Sequence, residues 1–205
     1  MMKTRSAPTM IAGLFALMPL AASAQGLADA RKLYDAGQYQ QAAAAAQAAA
    51  DDPRMLYLLA QSQQKLGQRD EARQRYSQLA SRPENDPWHD IGRSAVAQLA
   101  NDAGGALAAA NQAVEHGGNV AEAHYQRGLA FSAQQDMANA ATAFEKATEL
   151  DPNWADAHYY AGLACSKVRR IDQMASHFNT FLRLAPQSPS RAEVQSIMRT
   201  LGGRN

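Results

Sequence analysis

The sequence predicts an all-α chain built as a string of antiparallel helix pairs. Three observations carry that prediction: a 34-residue period in apolar and small residues, Asp-Pro pairs that punctuate it, and alanine-rich stretches whose apolar positions recur at helical spacing. A fixed period of this length marks a repeat architecture, in which each unit buries its apolar face only by stacking on its neighbours.

The first residues read as an export leader. Lys3 and Arg5 precede the apolar run Met10 to Leu20, and Ala22-Ser23-Ala24 supplies the small-x-small site. That order describes a secretory signal peptide. The run is short for a membrane span, which needs about 20 apolar residues. Residues 1–24 are therefore expected to be removed, with the mature chain beginning at Gln25; a retained, uncleaved anchor is the alternative. No cysteine follows the run to accept a lipid. The expected location is the periplasm, with secretion as the other outcome.

Residues 25–52 form an irregular first pair. "AGQYQQA" and "LGQRDEA" align at a spacing of 30, four short of the later period, and the alanine run after Tyr39 suits a second helix because alanine is the best helix former. Residues 53–186 then hold four units. Stepping by 34 gives Ala72, Ala106, Ala140 and Met174; four residues later stand Tyr76, Ala110, Phe144 and Phe178; seven later, Leu79, Ala113, Ala147 and Phe181. The same step links Ala60, Ser94, Gly128 and Gly162, all small. Glycine inside a helix costs about 1 kcal/mol relative to alanine, so its recurrence there predicts a close approach of two backbones.

Within the units, Asp52-Pro53 and Asp86-Pro87 place an N-cap aspartate before a proline at the first helical position. Asn119 with Glu122 suggests a capping box for a helix running to Phe131. A second helix is expected from about Met137 to Leu150, stopped by Asp151-Pro152. Residues 187–205 hold a capping helix and tail: Ser190 and Glu193 form S-x-x-E, Val194, Ile197, Met198 and Leu201 follow at helical spacing, and Gly202 ends it.

These residues resemble the tetratricopeptide repeat family. Its pattern of W-x2-L-G-x2-Y, then A-x3-F, then P is approached by His124-x2-Arg127-Gly128-x2-Phe131, Ala140-x3-Phe144 and Pro152, and again by His158-x2-Ala161-Gly162-x2-Cys165, Met174-x3-Phe178 and Pro186. The third unit departs from it, with Ala97 and Ala110 where aromatics are usual and no closing proline; loose packing or a bend of the superhelix is expected there. The resemblance implies a right-handed superhelical solenoid whose first helices line a concave groove, usually a docking surface for a segment of another protein.

Carried onto this chain, the resemblance puts Tyr57, Ile91, Tyr125 and Tyr159 in the leading groove column, with Arg54, Trp88, Glu122 and Asp156 beside them. Further columns hold Gln61, Ala95, Leu129 and Leu163, then Gln64, Gln98, Ser132 and Ser166, with Lys65 and Lys167 flanking. Aromatic rings give large contact area at low entropic cost, and the charged groups would set register. The other reading of the same rings is that they pack between adjacent helices.

Charge and chemistry narrow the function. Without the leader, 18 basic residues face 19 acidic ones, a balance that gives no electrostatic reason to expect nucleic acid or anionic membrane. Cys165 is the only cysteine, so no internal disulfide forms, and a buried, inert thiol is expected. His124 and His158 occupy equivalent positions in successive units, yet helix axes 8–10 Å apart and the lack of further ligands in sequence argue against a metal. No phosphate loop, dinucleotide fingerprint or nucleophile motif is present, so neither catalysis nor a cofactor is expected. The reading is an exported adaptor that binds a partner protein in its groove, with envelope or secretion assembly as its setting; a small-ligand carrier and a self-assembling subunit are the rivals.

Overall fold

The computed structural model describes residues 19–202, with side chains from Gln25 to Leu201. The leader's charged start and most of its apolar run lie outside the described residues. Among those described there are eleven helices and no strand: α1 Pro19–Asp35, α2 Tyr39–Gln47, α3 Pro53–Lys65, α4 Arg69–Ala80, α5 Pro87–Leu99, α6 Ala103–His116, α7 Ala121–Ala133, α8 Met137–Leu150, α9 Ala155–Lys167, α10 Ile171–Leu184 and α11 Arg191–Gly202. None is long and apolar enough to cross a membrane.

Each helix packs against the next in the chain, and α5 also meets α7. Short connections make consecutive helices antiparallel neighbours, and stacking the pairs gives the superhelical solenoid. The three 34-residue columns on the second helices form its spine. Ala72, Tyr76, Leu79, Ala140, Phe144, Ala147, Met174, Phe178 and Phe181 are all buried, and Ala106, Ala110 and Ala113 are fully so.

The recurrent small positions work as sockets, though not as expected. A methyl built on Gly128 would sit 2.6 Å from the Phe144 ring, and one on Gly162 would overlap Phe178. The close approach is therefore between a helix backbone and a ring, not between two backbones. Two backbones do meet at Gly92, where an added methyl would lie 2.6 Å from the Tyr76 carbonyl oxygen on α4. In the third unit Ala110 replaces the ring, and Ser94 fills the socket, its hydroxyl donating to the Ala106 carbonyl at 2.9 Å. Ser94, Ala106 and Ala110 are all fully buried, so this unit is packed through small residues rather than loose.

The turns repeat as regularly as the core. Gly37, Gly67, Asn101, Gln135 and Arg169 all have positive φ, between 58° and 79°. After each, the backbone N–H of the next residue reaches back to the carbonyl five residues earlier: Gln38 to Leu33, Gln68 to Gln63, Asp102 to Ala97, Asp136 to Phe131 and Arg170 to Cys165. These are Schellman C-caps, which satisfy carbonyls orphaned at a helix end. Their spacing reproduces the 30-residue first step and the 34-residue period that follows.

Helix starts are less uniform. Asp52 and Asp86 accept the N–H groups of Arg54 and Trp88, each with proline at the helix start. At α7 the N-cap is Val120 with no side-chain bond, so Asn119 does not form the expected box. Glu122 is bound elsewhere, as described below. Glu193 likewise turns away from Ser190's helix end and accepts the Tyr159 hydroxyl at 2.8 Å, tying α11 to α9.

Candidate functional site: the concave face

The concave face is built from the first helices of the units, and α1 lies across it. Arg31 of α1 donates to Glu122 of α7 at 3.0 Å and to Asp151 beyond α8, with its guanidinium carbon 5.0 Å from the centre of the Trp154 ring. Leu27 and Tyr34, seven residues apart on the same helix, are buried. Tyr34 stands beside the Asp156 carboxylate of α9. Side chains of the chain's own first helix thus reach the first-helix columns of α7 and α9.

Beneath α1 the aromatic columns form a continuous layer. Tyr57 lies 5.8 Å from Tyr76 and 6.0 Å from Trp88, ring centre to ring centre. Tyr125 lies 4.4 Å from Trp154 and 5.6 Å from Phe144. Tyr57 and Tyr125 are 2% exposed, Trp88 8%, and Ile91 not at all. Tyr57, Trp88, Ile91 and Tyr125 are thus buried, in keeping with the reading in which these positions pack between adjacent helices. Tyr57 is wedged between Tyr76 of its own unit and Trp88 of the next, and Tyr125 between Phe144 of its own unit and Trp154 of the next.

The other expected groove residues divide among three places. Gln61, Lys65 and Asp156 join Tyr57 and Tyr125 around an inner cavity of about 270 Å³, spanned by an amide relay in which Gln98 donates to Gln126 and Gln126 to the Tyr57 hydroxyl at 3.0 Å. Arg54, Trp88 and Glu122 line a shallower recess with Leu27 and Arg31. Arg54 is held there by the Asp52 carboxylate at 2.9 Å, as part of its own helix cap. Lys167 is exposed at the edge of a wider cleft of about 630 Å³ between α9 and α11, whose floor includes Leu163, Ile197 and Leu201. Tyr159, half-buried, stands next to it through Glu193.

Burial shapes the electrostatics. Desolvation raises the Glu122 carboxyl, while the Arg31 charge pulls it back. Desolvation also raises Asp156, offset by Lys65 and the Tyr34 hydroxyl. Asp35, at the end of α1, is pushed up to about 8 by desolvation and by the nearby Asp156 and Asp151 charges.

A second polar cluster lies on the far side of α9. Glu145 of α8, Cys165 of α9 and His177 of α10 bring one ligand atom each to within 4.8 Å of one another. The fully buried Cys165 thiol is 3.6 Å from Glu145 Oε1 and is pushed up to about 12 by burial and that carboxylate. His158 Nδ1 is 3.2 Å from His177 Nδ1, and its Nε2 faces the Pro152 carbonyl at 3.1 Å. His124 does not join them; it faces the Gly118 carbonyl. The sequence carried a signal for this cluster, since His158 and Cys165 stand seven apart on one helix face, but only the packing of α10 brings His177 to it.

Comparison with known proteins agrees with the fold. Residues 54–85 and 121–153 each match a family model described as tetratricopeptide repeat. No curated protein sequence is significantly similar to the chain. Among solved structures, a thermophilic TPR protein of Thermus thermophilus superposes with a TM-score of 0.60 at 21% identity, covering 85% of this chain and 98% of that one. The yeast Sti1 TPR2AB domain, solved with pHSP90, gives 0.52 at 14%, covering 86% and 84%. YrrB, described as a TPR protein with an unusual peptide-binding site, gives 0.51 at 19%, covering 83% and 90%. The described chain is an all-α solenoid of tetratricopeptide type, with recognised tetratricopeptide repeats at residues 54–85 and 121–153.

Proposed function

We propose that the chain is an exported, non-enzymatic scaffold that docks a segment of another protein in the cleft between α9 and α11. The observation that carries this reading is the division of the concave face: its inner part is occupied by α1, while its C-terminal end stays open. Leu163, Ser166 and Lys167 come from the columns the family uses for docking, and Ile197 and Leu201 of α11 add an apolar wall. Apolar anchors within a charged rim suit a short amphipathic segment, read through side chains at helical spacing. YrrB's peptide-binding site and the Sti1 complex with pHSP90 support a docking role for a fold of this kind.

Export rests on the leader. Removal of residues 1–24 leaves Leu27, Arg31 and Tyr34, so the groove-filling part of α1 survives processing. N-terminal sequencing of the chain from the envelope fraction is expected to begin at Gln25; an intact leader on cytoplasmic chain would overturn export.

Docking is tested by a photoreactive residue at Leu163, with exposed Glu149 as control. A discrete protein adduct from position 163, abolished by Lys167→Glu, is the expected result. Labelling indistinguishable from that at position 149 would sink it. A small-ligand reading is favoured by one observation, the inner cavity lined by tyrosines and amides; it predicts a ligand that survives protease treatment of the extract and leaves position 163 unlabelled.

A further inference from the structure

We propose that Glu145, Cys165 and His177 form a binding site for a divalent transition-metal ion of the zinc class, with His158 as the adjoining imidazole. The donor set is thiolate, imidazole and carboxylate, which suits a borderline ion such as Zn(II) and disfavours Mg(II) or Ca(II), whose ligands are oxygens. The carboxylate also argues against Cu(I), which takes softer donors.

The geometry is near what such an ion needs. Tetrahedral ligands at about 2.0–2.3 Å from zinc stand about 3.3–3.8 Å apart. The Cys165 sulfur and Glu145 Oε1 are already 3.6 Å apart, and all three ligand atoms lie within 4.8 Å of one another. They come from three consecutive helices, α8, α9 and α10, each packed on the next. Sites built from facing helices hold their ligands through the packing of the bundle itself.

The surroundings supply what metal ligands need from a second layer. Arg170 sits 3.6 Å from Glu145 Oε2, which leaves Oε1 turned toward the sulfur. His158 faces the Pro152 carbonyl through Nε2, so that nitrogen donates its hydrogen and Nδ1 presents a lone pair toward His177. Held in this way, His158 can accept the N–H of His177, the kind of outer partner that orients a metal-ligating histidine. On binding, the Cys165 S–H bond breaks, sulfur keeps the electron pair and bonds the ion, and one proton leaves to solvent. Thiolate and carboxylate then balance the two positive charges.

Titration of the purified, reduced protein with Co(II) tests this, because a thiolate ligand produces a charge-transfer band in the near ultraviolet. One equivalent of Co(II) is expected to develop the band, and Zn(II) to bleach it and protect Cys165 from alkylation. Cys165→Ser should remove the band, while Glu145→Gln and His177→Gln should weaken binding at least about 10-fold and His158→Gln about 10-fold. Circular dichroism checks that each variant is folded; the wild-type band and the alkylation rate decide the matter even if one is not. A wild-type protein with no band, or a thiol alkylated equally fast with and without Zn(II), would show a self-contained hydrogen-bond network and overturn the site.

Discussion

The Arg31 guanidinium lies 3.0 Å from the Glu122 carboxylate, joining the first helix to the seventh across the concave face. Glu122 is 7% exposed at its side chain and Arg31 18%, so the pair is largely out of water. Removing one partner of such a pair leaves the other charge buried and uncompensated, at a cost of about 3 kcal/mol. Arg31→Ala is therefore expected to lower stability by about 2–3 kcal/mol and to speed amide exchange in residues 27–35. The double variant Arg31→Met with Glu122→Gln should recover most of the loss. Exchange unchanged in the single variant would mean that Leu27 and Tyr34 alone hold α1 in place.

That contact marks where the sequence ceased to be a guide. The helix pairs, their 34-residue step and the buried columns were legible because each depends on residues repeated within the chain, and α8 spans the expected Met137 to Leu150, its end marked by Asp151-Pro152. At the 30-residue first step Leu27, Arg31 and Tyr34 align with Tyr57, Gln61 and Gln64, which puts them on the groove side, but the repeat pattern gives no sign that they reach across to Glu122 and Asp156. The Schellman turns were hidden for a related reason. Only Gly37 and Gly67 announce positive φ; Asn101, Gln135 and Arg169 adopt it under the demands of the fold. His177 joins no cluster in the sequence because its partners lie on two other helices, α8 and α9.

Those forced turns give a second prediction. A non-glycine residue in the left-handed region is disfavoured by about 1 kcal/mol relative to glycine. Gln135 and Arg169 are both exposed at their turns, so their side chains offer little packing in return. Gln135→Gly and Arg169→Gly should each raise the stability by about 0.5–1 kcal/mol in urea unfolding, and Gly67→Ala should lower it by a similar amount. Destabilisation by Gln135→Gly would mean that its loss of chain entropy outweighs relief at the turn.

The glycine sockets predict the opposite sign. Alanine is the better helix former by about 1 kcal/mol, yet a methyl at Gly128 meets the Phe144 ring and one at Gly162 meets Phe178. Overpacking of a dense core costs about 1–3 kcal/mol, so Gly162→Ala should be destabilising by about 1–2 kcal/mol net. Adding Phe178→Leu makes room, and the pair should be less damaging than the sum of the two single changes. Simple additivity would show that the ring and glycine do not constrain each other.

Asp35 supplies the pH dependence. Its carboxyl is raised from 3.8 to about 8, through desolvation first and then the Asp156 and Asp151 charges, with Arg31 opposing. The folded chain therefore holds a proton that the unfolded chain releases near pH 4, and the stability it contributes is lost as pH rises from about 4 to about 8. Glu122 and Asp156, also raised, act in the same sense. His124, His158 and His177 are lowered by burial and act oppositely, their contribution falling as pH drops from 6.5. Above pH 6.5 the carboxyl effect stands clear of them. Asp35→Asn cannot ionise, so at pH 8 it should be more stable than the native chain by about 1 kcal/mol, a few degrees in Tm, and the gap should close toward pH 4. Parallel Tm profiles for the two proteins would show that Asp35 ionises as freely in the fold as in the unfolded chain, and that the end of α1 is open to water.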